Sequence, residues 1–531
     1  MKNWIDKALE PFAPGRVAQR LAARQMIYAY EAAAPTRLHK AKSEGKSADM
    51  AVQLAGRSLR EQARYLDENH DIVTGIFDRL EERVVGADGI GIEPIPLDRA
   101  GNRMNEFAAQ IKTWWAEWSL HPETTGELTR PQMERLVCRS WLRDGEVLAQ
   151  ELRGRIPSYQ YLTPTPYALE LLEADYLPLD ADDPKRGIFA GIERNEWRRG
   201  RAYHIYKSHP GDMKGWLLNT KRVEAERMIH LAHRKRLQQS RGITILHSVI
   251  TRLADLKDYE ESERVAARIA AAMTMYIKKG EPIDYTAGQG TGNNSAVGGA
   301  GMPPGSRQIP IAPGMTFDGL MPGEDVGMIE SNRPNALVEG FRGAMIKAVA
   351  AGTRGGASTW SRDYDGTYSA QRQELVEAQL GYELLQNEFI SGWCRRVYRS
   401  ALAMAVLNGD ITLPPELDER TLYNAFYLGP VMPWINPQHE AAAWAELVEA
   451  GFADEAEVAR ARGRNPQELK KSRKAEIDEN REKGLVFSSD PYHEFYGSKE
   501  NGSPNDAASE RAAERRQSRR AAAFTAGENP R

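Results

Sequence analysis

Apolar positions recur at helical spacing over 47–85. Leu59, Ala63 and Leu66 form one stripe, and Ile72, Ile76 and Leu80 continue it. Ser47 stands where an N-cap belongs and Gly86 where a helix stops. A second helix is predicted around Phe107, Ile111, Trp114, Trp115 and Trp118. Trp114 and Trp118 are four apart and share a face, which reads as core packing, with base stacking as the sharper alternative.

Between 140 and 240 the period changes. Glu146 to Leu152, Ile188 to Ile192 and Ala202 to Tyr206 are short, strand-like runs, separated by turn signals such as His209-Pro210-Gly211-Asp212. A small β-rich α+β module is expected there. From 244 the helical period returns with Ile245, Val249, Leu253 and Leu256, then Val265, Ile269 and Tyr276. That pattern predicts one helix of some 35 residues, about 50 Å long at 1.5 Å per residue. So long a rod calls for equivalent rods to pack against.

A second helix is expected over 334–352. Between the two rods lies an irregular insert, within which 286–305 is a Gly-rich, low-complexity loop. Residues 361–372, reading Ser-Arg-Asp-Tyr-Asp-Gly-Thr-Tyr-Ser-Ala-Gln-Arg, form a polar, turn-rich loop. It runs into a strong helix predicted over 371–407. A mobile, charged loop between long helices suits a contact that touches without gripping, as in a channel lining. Past Gly409 the helical pieces shorten, one of them introduced by Trp434-Ile435-Asn436-Pro437 and carrying Trp444 and Leu447. Residues 1–45 read as an arm with a short amphipathic piece at 17–30, and the tail past 498 as disorder or marginal helix.

The chain has 531 residues, 41% hydrophobic and 27% charged, which fits two to four globular domains. A net charge of -3 gives no global attraction to nucleic acid, so any DNA contact must come from local patches. Three such patches stand out: Arg234, Lys235, Arg236 and Arg241; Lys347, Arg354 and Arg362; and Arg511, Arg515, Arg516, Arg519 and Arg520. Each is otherwise a solvated face. Cys138 and Cys394 form no C-x-x-C pair and read as two buried free thiols in a reducing compartment. The N-terminus lacks the features of a secretory signal, and no run approaches the roughly 18 apolar residues of a membrane span. The expectation is a protein kept in a cytoplasm, or in a particle assembled there.

Chemistry finds little support. Gly45-Lys46-Ser47 fails the P-loop spacing because residue 40 is Lys. His230 and His233 are three apart and could share a metal if helical, but no further ligand stands at motif spacing. Asp144-Gly145-Glu146 is an acidic turn before a strand; its carboxylates could hold a divalent ion or act as an acid–base pair, or serve the turn alone. No catalytic residue, metal site or cofactor is assigned.

The order of motifs resembles a known family, the portal proteins of lambda-type tailed bacteriophages. The resemblance is carried by Asp144-Gly145-Glu146, Ile229-His230-Leu231, Gln239-Ser240-Arg241-Gly242-Ile243, Leu320-Met321-Pro322-Gly323-Glu324, Ala350-Ala351-Gly352, Tyr368-Ser369-Ala370-Gln371-Arg372 and Trp434-Ile435-Asn436-Pro437. It implies an α+β, mainly helical portal fold of wing, stem, clip and crown that assembles into a ring, a dodecamer in that family. The resemblance assigns 1–243 (with its arm) and 369–405 to the wing, 244–279 and 334–352 to the stem, 280–333 to the clip, 353–368 to the tunnel loop, and 406–531 to the crown and tail. It further implies that double-stranded DNA is packaged and ejected through the ring at one capsid vertex. The implied partners are other copies of the chain, terminase, the major capsid protein and neck or head-completion proteins. It places Lys347, Arg354, Arg362, Tyr364 and Tyr368 at the DNA channel, and Pro282, Asp284, Tyr285, Gly323 and Glu324 at the motor-docking clip. The chain departs from the family at Thr353-Arg354-Gly355-Gly356-Ala357, where the glycines are expected to loosen the loop. Two other readings stay open: a coat or minor head protein, and a metal-dependent nucleic-acid enzyme using Asp144 and Glu146.

Overall fold

A computed structural model describes residues 11, 13–18, 44–212, 219–272, 276–279, 324–327, 338–432, 437–485 and 487. The chain divides into two compact units. The first comprises residues up to 90 and 95–424; the second comprises 91–94 with residues from 425 onward.

In the first unit, the expected helix at 47–85 is two helices, α1 (Ala48–Asn69) and α2 (Asp71–Val84). Ser47 caps α1 by accepting the Met50 N–H. The break falls at His70, whose extended backbone ends α1 while its N–H still reaches Leu66 O at 2.9 Å. The apolar stripe runs across the break, so periodicity alone gave no sign of it. In the second unit, β1 (Gly91–Pro94) is the partner of a strand described below.

Helix α3 (Asn105–Trp118) buries Phe107, Ile111, Trp114, Trp115 and Trp118 together. Trp114 Nε1 donates to Thr165 Oγ1 and Trp118 Nε1 to Tyr167 O, so these rings are core and not a stacking platform. Helix α4 (Arg130–Asp144) starts with a Thr129/Gln132 capping box and ends on Gly145.

The β-rich module has two antiparallel sheets. One has the order β3-β2-β8, from β2 (Glu146–Arg153), β3 (Tyr167–Glu173) and β8 (Met228–Ala232). The other runs β4-β5-β6-β7, from β4 (Ile188–Phe189), β5 (Ile192–Arg194), β6 (Gly200–Tyr206) and β7 (Thr220–Glu224). Leu148, Leu172, Ile192, Ile205, Val223 and Met228 meet in one apolar cluster.

The long rod is shorter than its pattern. A 3-10 turn at Ile245–Ser248 precedes α5 (Ile250–Ala272), 23 residues and about 35 Å long. The chain then turns extended as β9 (Tyr276–Lys279), paired antiparallel with β10 (Glu324–Gly327). A cross-strand partner 45 or more residues away overrides the helical period there. The insert between these strands, including 286–305, lies outside the described residues.

Helix α6 (Val338–Thr353) lies against α5: Tyr259 and Phe341 meet edge to face at 4.9 Å, and Arg342 Nε pairs with Glu260 at 2.8 Å. A five-residue helix α7 (Ala357–Ser361) follows, then α8 (Tyr368–Phe389), a π segment at Ile390–Cys394, and α9 (Arg395–Asn408). The predicted helix over 371–407 is thus real, starts a turn earlier and carries a π distortion. Gly392 sits at that distortion, where an added Cβ would fall 2.5 Å from Leu231. In the second unit β11 (Ala425–Leu428) pairs with β1, and α10 (Pro437–Glu449), α11 (Glu455–Ala461) and α12 (Pro466–Glu482) complete it. Trp434, Ile435 and Asn436 and the tail past 498 lie outside the described residues. Both cysteines are free and buried.

Candidate functional site: a buried charge knot and a braced loop

Three of the motifs singled out in the sequence converge. Gly145 ends α4 at φ 89°, and a Cβ there would lie 2.3 Å from Ile243 C. A Cβ on Gly242 would lie 1.8 Å from Gly145 O. Only glycine lets the two backbones cross this closely. His233 N donates to Gly145 O at 2.8 Å, which brings β8 to the same crossing.

Glu146, fully buried, sits at the centre. Its Oε1 accepts from Arg241 Nη2 at 2.6 Å and from Arg60 Nη2 at 3.0 Å. Its Oε2 accepts from Gly242 N at 2.9 Å and contacts His230 Nε2 at 3.0 Å. Burial by itself raises the Glu146 pKa, but the Arg241 guanidinium, followed by the His230 contact, outweighs it and holds the carboxyl well below the usual range. Arg241 spends its remaining donors on backbone carbonyls of Leu177, Ala190 and Pro178, at 2.8, 2.8 and 3.2 Å. Asp144 takes two bonds from Arg64 (3.0 and 2.8 Å) and two from Arg143 (2.9 and 3.3 Å).

These contacts correct two expectations. Arg241 does not belong to a solvated basic face; it is 1% exposed, because Glu146 and the carbonyls draw it inside. Asp144 and Glu146 are also not placed as metal ligands. Arginines already fill their lone pairs, and a divalent ion would have to sit among guanidinium groups. His230 lies on β8 and His233 directly after its last residue, not on a helix. Being three apart, they point to opposite faces: His230 to Glu146, His233 to Ile243 O at 3.0 Å.

The second site is the segment between α6 and α8. Its first half is folded. Trp360 is buried and its Nε1 donates to Thr353 Oγ1 at 3.0 Å. Ser358 N and Oγ donate to Glu374 Oε1 and Oε2 at 2.9 and 2.7 Å, tying α7 to α8. Gly355 and Gly356 do not serve looseness. A Cβ on Gly355 would lie 1.9 Å from the Trp360 ring, and one on Gly356 2.7 Å from Glu374, so both glycines permit close approach. Arg354 takes φ 60° and packs its carbonyl on Gly381. Its Nη1 is buried without a hydrogen-bond partner.

The second half is open. Arg362 (φ 54°) ends α7, and residues 362–370 are all exposed. Tyr364 and Tyr368 are 58% and 57% exposed. The Gln371 amide returns to Tyr364 O and holds the turn. Lys347 is exposed on α6. The residues expected at the channel therefore separate into an exposed set (Lys347, Arg362, Tyr364 and Tyr368) and half-buried Arg354. Of the residues expected at the docking clip, Glu324 lies in β10, where its backbone pairs with Lys279 of β9. Pro282, Asp284, Tyr285 and Gly323 lie outside the described residues.

The sequence pointed to the loop but missed Trp360 as its anchor. The signal was an aromatic residue four or five positions after a glycine pair. It also missed Arg60 and Arg64, whose four-residue spacing puts them on one face of α1. Among the described residues, no helix is long and apolar enough to cross a membrane.

A curated "Probable portal protein" of Halomonas phage phiHAP-1 is 22% identical over 459 residues, covering 83% of this chain and 84% of the relative. Among solved structures, one titled "Virion of native gene transfer agent (GTA) particle" aligns with a TM-score of 0.42 at 12% identity, covering 78% of this chain and 94% of that one. A second, "Neck of native GTA particle computed with C12 symmetry", gives 0.40 at 11% identity, covering 76% and 92%. The model of the family "Phage portal protein, lambda family" matches residues 34–386, a span that contains both the charge knot and the braced loop. The chain belongs to the lambda family of phage portal proteins.

Proposed function

We propose that copies of this chain close into a ring at one capsid vertex, and that double-stranded DNA enters and leaves through it. Head-to-tail contacts between identical subunits give a closed ring when the rotation closes, a dodecamer by family analogy. The paired helices α5 and α6 are the stem, β9 and β10 the root of the clip, and 353–368 the tunnel loop. Residues 1–243 and 369–405 make the wing, and 406–531 the crown and tail. The clip, with Pro282, Asp284, Tyr285, Gly323 and Glu324, docks terminase first and neck proteins later. The ring also meets the major capsid protein and nucleates the shell. Assembly takes place in the host cytoplasm and the finished ring resides in the virion.

The observation that carries this reading is the division of the tunnel loop. A braced base, held by Trp360 and Glu374, supports an exposed tip. At that tip Arg362 stands beside Asp363 and Asp365, so the tip has no excess of positive charge. Such a tip meets phosphates briefly; a wholly basic bore would hold DNA and stall its passage. The chain works as a conduit, not an enzyme.

The test is the purified protein viewed down its axis by negative stain. A closed ring of about a dozen copies with a central hole supports a portal; shell-like sheets or hexamers support a coat protein instead. Replacing Arg362 with Ala, alone or with Arg354→Ala, is then expected to leave the ring intact while lowering DNA packaging or retention. Loss of the ring in Arg362→Ala overturns the assignment of this residue to the channel.

A further inference from the structure

Helix α8 is apolar on two opposite sides. Ala378, Tyr382, Leu385 and Phe389 form the side buried in the subunit. Val376, Leu380 and Leu384, at i, i+4 and i+8, are 40%, 60% and 56% exposed. At ~100° per residue the two stripes lie on roughly opposite faces of the helix. Exposed Glu377 and Glu383 bracket the outer stripe. A helix apolar on both faces is built to lie between two bodies. Only one of those bodies is present in the subunit.

A complementary surface exists on the same chain. The β5–β6 turn exposes Trp197 at 87%, and the loop after β8 exposes Leu237 at 94%. The two tips are tied together. Arg198 Nη1 donates to Gln238 Oε1 at 2.7 Å, and Asp49 accepts from Arg194 Nη1 at 3.0 Å and Ser240 N at 2.7 Å. Around these tips Arg199, Arg201, Arg234, Lys235 and Arg236 are exposed, against the single exposed carboxylate of Glu196 in 195–201 and 234–237. Large apolar side chains standing out in water, ringed by cations, suit an acidic partner with an apolar seam. The outer stripe of α8 has that chemistry.

We infer that the Trp197/Leu237 prongs of one copy seat on the Val376–Leu380–Leu384 stripe of the next, with the arginines facing Glu377 and Glu383. This rests on the ring proposed above, and names the surfaces that close it. A ring needs two different, mutually complementary faces on each subunit, and these two are complementary in both polarity and charge.

The experiment uses the full chain and begins with the unaltered protein. If it forms no ring, the ring reading itself fails. If it does, two double variants follow: Glu377→Lys with Glu383→Lys, and Arg199→Glu with Arg236→Glu. All four positions are exposed, so far-UV circular dichroism is expected to stay unchanged. Each variant is expected to lower the ring fraction in sedimentation velocity at least tenfold, and the quadruple variant is expected to restore it. Separately, Leu237→Cys with Leu380→Cys is expected to give an oxidation-dependent ladder of covalent oligomers, since both native cysteines are buried. Rings that survive both charge reversals, a quadruple variant that stays dissociated, or a crosslink confined to single chains or stopping at dimers would each overturn the inference.

Discussion

Replacing Glu146 with Gln removes one charge from the centre of the knot and leaves the volume nearly unchanged. Two guanidinium groups then lose a carboxylate while they stay buried, Arg241 at 1% and Arg60 at 4% exposed. Removing one partner of a buried pair costs roughly 3–5 kcal/mol. Partial compensation keeps the cost near the middle of that range. Arg60 still has Asp175 at 3.3 Å, and Arg241 still has its carbonyls. The expected loss is about 4 kcal/mol, a large share of the roughly 5–15 kcal/mol that holds a domain together. The assay is urea unfolding followed by tryptophan fluorescence at one fixed protein concentration, because assembly adds to apparent stability. A double-mutant cycle with Arg241→Gln isolates the pair, and its two members should couple strongly. A cost below about 1 kcal/mol for Glu146→Gln would refute the argument that the knot is structural. The same variant bears on the enzyme reading, since lost activity in Asp144→Ala or Glu146→Gln means nothing unless the protein remains folded.

Gly145→Ala should destabilise by more than ordinary αL strain, roughly 1 kcal/mol, because the new Cβ also meets the Ile243 backbone; thermal melting checks this. Burial lowers the pKa of His233 from 6.5 to about 4. The unfolded chain therefore takes the proton more readily, so this stability is whole above pH 6.5 and is lost as the pH falls toward 4. The loss amounts to about 3 kcal/mol, with burial of His230 and His247 acting in the same direction. Stability against pH should be flatter over that window in His233→Asn. Trp360→Ala empties the brace under the loop between α6 and α8 at a local cost of about 3–5 kcal/mol; limited proteolysis should then cut near 353–361 while α5 and α6 stay protected.

Local signals in the sequence were sufficient for most helices. Ser47 as a cap, the stripe of Ile72, Ile76 and Leu80, and the tryptophans of α3 each depend on neighbours three or four residues away, which the chain itself displays. The ordered motifs also gave the family, and two of them meet where Gly145 and Gly242 let the backbone cross closely. What they do was not legible. Asp144-Gly145-Glu146, His230 and Arg241 are separated by some 95 residues, and only the folded chain makes them one ion cluster. Arg241 read as surface charge because an arginine looks the same in sequence whether its partner is water or Glu146. The long rod failed for the same reason: a helical period continued through Tyr276, but pairing with 324–327 set that stretch extended. Gly355 and Gly356 read as freedom, yet they serve contact with Trp360 and Glu374. Periodicity is a property of near neighbours and is written in the sequence. Ion pairing, strand pairing and backbone crossing depend on residues far apart along the chain, and the tertiary structure alone decides them.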